Sequence, residues 1–134
     1  MIKIESHVAD IRIRLKAASL EHLFSEGMRS LYKVLKPSGK KEKTHVKQSF
    51  KLIGDDNTIL LIDFMNEVLS YSLIYKYVYE EISKFKNTED GLFIDLKGYK
   101  VKTFVKDVKA VTFHEAEILE TETGIFETSI ILDI

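Results

Sequence analysis

Ile11-Arg12-Ile13-Arg14-Leu15-Lys16 alternates apolar and basic residues, and two alanines later the chain changes rhythm to Ser19-Leu20-Glu21-His22-Leu23-Phe24-Ser25-Glu26-Gly27-Met28-Arg29-Ser30-Leu31-Tyr32-Lys33-Val34-Leu35. The first run has the period of two that sends one face of a strand into a core and the other into water. In the second, Leu20, Leu23, Phe24, Met28, Leu31, Tyr32 and Leu35 recur on one side of a helix. Ser19 is the predicted N-cap, because its hydroxyl can accept from an unpaired amide of the first turn. Pro37 and Gly39 end the helix, and Gly27 on the apolar stripe lets a second element come close. A strand giving way at once to a helix begins a mixed fold, in which one more helix follows and the rest of the chain is strand-like.

Ile2 and Ile4 read as a further short strand, and Val46, Gln48, Phe50 and Leu52 as the strand that follows the basic run Lys40–Lys47. Lysines at such a place commonly protect a strand edge from pairing, and an RNA contact is the sharper alternative. Gly54-Asp55-Asp56-Asn57 predicts a turn and N-cap, then a helix from about Thr58 to Ser72. Its faces are Leu61, Phe64, Met65, Val68 and Leu69 against Asp63, Asn66, Glu67 and Ser70. The patterns over 78–85, 91–97, 108–118 and 126–134 are strand-like. Two main helices among about eight strands predict an α+β domain, its mostly antiparallel strands in packed sheet layers, spanning 1–134 as one unit.

With 45% hydrophobic residues in 134, the chain can bury a real core; 31% charged residues with a net charge of -1 give neither the excess of an autonomous nucleic-acid binder nor that of a disordered tail. Absence of cysteine excludes disulfides, thiolate nucleophiles and cysteine-based metal sites, and a reducing cytoplasm is the natural assignment. Met1 to His7 alternates in polarity, and the apolar stretch from Leu60 to Tyr79 is broken by Asp63, Asn66, Glu67 and Lys76, so neither a signal peptide nor a membrane span is expected.

Ser38-Gly39-Lys40-Lys41 lacks the upstream glycine and the following hydroxyl of a phosphate-binding loop. His7, His22, His45 and His114 form no zinc-binding helix pair. Asp63 and Glu67, four residues apart, read as a solvated helix face rather than an acid/base pair. Three places carry more chemistry. His7-Val8-Ala9-Asp10 lies where a turn could hold the Asp10 carboxylate at the end of a sheet, although an aspartate that merely forms the turn accounts for it too. Strand alternation through 108–116 would set Ala110, Thr112, His114 and Ala116 on one face, which suits a pocket histidine or a satisfied core histidine. In Ile130-Ile131-Leu132-Asp133-Ile134, Asp133 and the α-carboxylate of Ile134 are adjacent hard oxygen donors, and Asp10 would complete a Ca²⁺ or Mg²⁺ site.

At these residues the chain resembles the archease family. The resemblance is carried by His7-Val8-Ala9-Asp10-Ile11-Arg12-Ile13, Leu20-Glu21-His22-Leu23-Phe24, Leu61 to Leu69, Val108-Lys109-Ala110-Val111-Thr112-Phe113-His114 and Ile131-Leu132-Asp133-Ile134. It spans essentially the whole chain. Ser6, Val8 and Ala17 depart from the aspartate, threonine and glycine common in the family. The resemblance implies an α+β fold and a non-catalytic role: activating the 3′-phosphate RNA ligase of tRNA splicing, by promoting guanylylation of that ligase's active-site histidine and its repeated turnover. It also implies a divalent cation, Ca²⁺ first with Mg²⁺ or Mn²⁺ as substitutes, on Asp10, Asp133 and Ile134. His7, Lys109, Thr112 and His114 would line the rim without assigned roles, and RNA would be met only through the ligase. The alternatives are a small metal-dependent phosphohydrolase, which lacks an evident nucleophile or base, and a chaperone-like binding module.

Overall fold

The computed structural model describes residues 10–42, 45–113, 117–121 and 123–134. The chain order is β1 (Ile11–Ala17), α1 (Leu20–Leu35), β2 (Pro37–Ser38), β3 (His45–Leu52), α2 (Asn57–Tyr75), β4 (Tyr77–Thr88), β5 (Gly91–Lys100), β6 (Thr103–Phe104), β7 (Ala110–Thr112), β8 (Leu119–Glu120) and β9 (Phe126–Asp133). Every strand pair is antiparallel, in one sheet of order β1-β9-β7 with β8 also on β9, a second of order β3-β5-β4, and a two-stranded β2-β6 ribbon. Both helices touch both larger sheets, so the core lies between the layers with the helices inside it.

The α+β architecture follows from the residues named above. Ile11, Ile13, Leu15 and Ala17 turn toward the core while Arg12, Arg14 and Lys16 are exposed. Ser19 caps α1, its Oγ accepting from the His22 amide at 3.1 Å, and Leu23, Phe24, Met28, Leu31 and Leu35 are fully buried. The helix closes at Lys36, which adopts a left-handed conformation at φ 54° just before Pro37. At Gly27 the two helices meet: an added Cβ would stand 2.9 Å from Met65 Sδ and 3.4 Å from Leu61 Cδ1. Phe24 contacts Phe64 and Phe85 at ring separations of 5.4 and 5.1 Å, and this joins both helices to β4. Tyr32 adds a polar tie across the same elements, sharing a hydrogen bond with Ser72 Oγ at 2.8 Å and accepting the Tyr79 amide at 3.0 Å.

Three expectations are corrected. The strand expected over 108–118 does not run through. Among the described residues of that segment only Ala110–Thr112 pair with β9, Phe113 is outside the strand, and the chain rejoins β9 as β8. Of the small-residue face proposed around His114, therefore, only Ala110 and Thr112 lie on a described strand; His114 and Ala116 lie outside the described residues, as do His7 and the strand expected at Ile2 and Ile4. Second, α2 extends three residues past Ser72 and is by length and composition apolar enough to cross a membrane, with mean hydropathy 1.2 and half of that window buried in the domain. The apolar excess is that of a core helix flanked by two sheets, with Leu61, Phe64, Met65 and Val68 fully buried. Third, Asn66 does not belong to the solvated face with Asp63, Glu67 and Ser70. It is half-buried and bonded across to β7.

Candidate functional site at the ends of the first sheet

The register of the first sheet decides which polar groups meet. Ile11 pairs with Leu132, so Asp10 stands one step beyond that pair, on the side of Asp133. From the other flank Ala110 pairs with Asp133, and the Lys109 amide donates to the Asp133 carbonyl at 2.7 Å. Three segments distant in sequence thus end at one corner of the sheet. Side chains of paired residues share a face. Leu132, Val111 and Ile11 turn to the core, so Asp133 and Ala110 turn to the opposite, outer face, where Arg12, Ile131 and Thr112 follow them. Asp10 and Lys109 are exposed, whereas Asp133 and Ile134 are half-buried and Ile134 packs against the core.

The corner is held from beneath by α2. Asn66 Nδ2 donates to the Val111 carbonyl at 2.8 Å and to the Ile62 carbonyl at 3.1 Å, while Asn66 Oδ1 accepts the Val111 amide at 2.8 Å. One amide side chain therefore takes the place of a neighbouring strand on the free side of β7. Buried Thr58 does the same further along, its Oγ1 accepting the Ile118 amide at 3.0 Å. The segment between β7 and β8 is fastened to α2 at both of these points. Asn66 is the positioning residue that sequence reasoning placed wrongly. Its signal was an amide between Met65 and the buried Val68 on the most apolar helix of the chain, where a buried polar group needs partners.

The oxygen-bearing groups expected here are the Asp10 and Asp133 carboxylates and the oxygens of Ile134, on residues that the register brings to one end of the sheet. Among the described residues no three His, Cys, Asp or Glu side chains come together as a metal-binding group. An all-oxygen set with at most two side-chain ligands does not suit zinc, which takes nitrogen and sulfur in closed tetrahedra. It suits a hard divalent cation that keeps positions open for water or a phosphate. Of the expected rim residues, Lys109 is tied to this corner by its backbone amide, and Thr112 lies two steps along β7 from the Ala110–Asp133 pair.

Residues 3–134 match the model of the archease protein family. The chain belongs to the archease family. A protein archease of Pyrococcus abyssi is 30% identical over 96% of this chain and 94% of its own, and one of Methanothermobacter thermautotrophicus is 29% identical over 86% and 85%. The fold agrees with a Thermotoga maritima crystal structure described as an archease and possible chaperone, at TM-score 0.72, 18% identity and coverage of 100% and 98%. A solution structure of a Methanobacterium thermoautotrophicum protein superposes at TM-score 0.69 with 21% identity over 99% and 96%. This archease chain thus has its family's α+β fold with two helices and antiparallel sheets, as the two helix patterns set among strand patterns predicted.

Proposed function

We propose that this archease-family chain is a non-catalytic activator of the 3′-phosphate RNA ligase that joins tRNA halves, acting through a divalent cation held at the corner of the first sheet. The observation that carries the reading is the register that brings Asp10 and Asp133 to one strand end with Ile134. Asp10 and Asp133 bind the cation, with Ile134 adding a backbone or carboxylate oxygen. A cation in this place supplies Lewis-acid charge to phosphate oxygens without using up its coordination positions on protein. Lys109, just before β7, and Thr112, on it, orient the phosphate, and Asn66 keeps β7 in line with β9. Docked beside the ligase's nucleotide pocket, the corner promotes guanylylation of the ligase histidine and release for the next round.

Family membership supports this reading, and the lack of an evident nucleophile, base or nucleotide loop in the sequence favours a helper over a phosphohydrolase. The test is multiple-turnover ligation by the cognate ligase with the chain at substoichiometric amount. Ligation beyond one turnover per ligase is expected only when the chain is present. A ligase equally fast without it would remove the proposal, and phosphate release by the chain alone would favour the hydrolase.

A further inference from the structure

The outer face of the β3-β5-β4 sheet takes no part in the corner described above. On central strand β5, Leu92, Ile94 and Leu96 are buried, so Phe93, Asp95, Lys97 and Tyr99 alternate onto the opposite side. Lys47 of β3 stands directly across from Lys97. Each ring has an ammonium over it: Lys41 Nζ is 4.3 Å from the Tyr99 centroid and Lys51 Nζ 5.6 Å from that of Phe93. Between the rings runs a groove of about 180 Å³, bounded by Lys47, Lys97, Ser49, Ser83 and Asp95.

Edge protection accounts for Lys47 and Lys51, because β3 is an edge strand of this sheet. It does not account for Lys97, which sits on the middle strand with Lys47 across from it on β3 and Glu81 across from it on β4, so that one acid faces two lysines at that rung. With Lys84 and Lys86 added from β4, the lysines outnumber the nearby acids Asp95, Glu80 and Glu81, on a chain whose net charge is -1. Asp95, between Phe93 and Lys97 on this face, is answered across the ladder by Lys84, and the remaining lysines between two aromatic faces match a ligand with alternating negative and planar groups. At a rise of about 3.3 Å per residue the rings stand roughly 20 Å apart, so that ligand is an extended polymer rather than a single nucleotide.

We propose that this face is a platform for single-stranded RNA, with bases stacked on Phe93 and Tyr99 and the phosphates between them over Lys47 and Lys97. Stacking tolerates any base, and lysines follow the backbone, so binding is sequence-tolerant, weak and salt-sensitive. Lys41 and Lys51 leave their rings for phosphate as the bases arrive, which their long flexible stems allow. Duplex RNA is not a ligand, because its bases are already stacked. The platform is independent of the ligase reading and is assayed without any ligase.

The experiment is fluorescence anisotropy of the isolated chain with a labelled single-stranded RNA of about 12 nucleotides, from about 50 to about 200 mM salt. Wild type is expected to bind at low salt and to release as salt rises. Lys47→Gln with Lys97→Gln should lower the slope of log affinity against log salt by about 1.4, corresponding to two phosphates. Tyr99→Leu should weaken binding at least about fivefold. All three positions lie outside the core, and a thermal melt by circular dichroism no lower than wild type for the lysine double variant confirms that the loss is one of binding. Absence of binding by wild type at low salt, variants that bind as wild type does, or duplex RNA bound equally well would each overturn the proposal. So would a polyglutamate peptide competing as effectively as RNA, which would reassign the face to an acidic protein.

Discussion

Asn66→Ala removes an amide that forms both cross-links between α2 and β7. The variant loses the Val111 amide and carbonyl bonds at 2.8 Å each, and the bond to the Ile62 carbonyl at 3.1 Å. The Ile62 carbonyl retains a place in the helix ladder. Val111 is 2% exposed, so its amide and carbonyl are left facing the space vacated by the side chain. An unsatisfied buried backbone group costs about 1–3 kcal/mol, and with two such groups partly relieved by entering water the expected loss is about 2–4 kcal/mol. Asn66→Asp separates the two bonds: its carboxylate still accepts from the amide but meets the carbonyls without a donor, so it too should be destabilised. Asp63→Ala, exposed on the same helix, is the control and should remain within about 0.5 kcal/mol of wild type. The assay is urea unfolding followed by circular dichroism, with hydrogen exchange at Val111 as the local readout. Asn66→Ala within about 0.5 kcal/mol of wild type, or unchanged protection at Val111, would refute the account of how the corner is held.

Three further outcomes follow from the core. Burial pushes the Tyr32 hydroxyl up to about 12 against the opposing effects of Ser72 and the Tyr79 amide, and burial raises Tyr79 as well. Stability is therefore complete below about pH 10, where even the unfolded tyrosines are neutral, and for Tyr32 falls by about 1.4 kcal/mol per pH unit from there to about pH 12; urea unfolding across this range, compared with Tyr32→Phe, reads the slope. Thr128 is buried and its Oγ1 has no hydrogen-bond partner among the described residues, so Thr128→Val should be neutral or stabilising by up to about 1 kcal/mol in the same assay. Gly27→Val forces a branched side chain against Met65 and Leu61 where the helices cross, and should lower unfolding free energy by about 1–3 kcal/mol.

The fold was legible wherever burial imposes a period. Alternation at Ile11 to Lys16 and the stripe from Leu20 to Leu35 each describe an element whose one face must leave water, and both elements appear with the bounds their caps imply. The 108–118 segment was misread because its alternation is only a local property. Pairing with β9 depends on a partner more than a dozen residues away, and the chain leaves that partner after Thr112. Asn66 was misread for the opposite reason: spacing placed it beside Asp63 and Glu67, but α2 is enclosed on more than one side, so the rule of one apolar face and one wet face fails there. At the corner, the residue types in Asp10 and Asp133 suggested oxygen ligation, yet only the β1-β9 register relates them in space, and that register is a property of the folded sheet. The opposition of Lys47 and Lys97 was invisible for the same reason, since it exists only once β3 lies against β5.

The most direct measurement of the central claim is the rate of ligase guanylylation with wild-type chain, Asp10→Ala and Asp133→Ala, at fixed cation concentration and with folding verified by circular dichroism. A hard cation held by so few protein oxygens should lose about 100-fold or more in affinity when one carboxylate is removed. Both variants should remain folded, because the buried side chains between the two sheets, not the cation, form the core. The account predicts that each variant fails to stimulate guanylylation, with partial recovery at high cation concentration. Folded variants that stimulate as wild type does would contradict it and leave Asp10 and Asp133 as strand-end structure only.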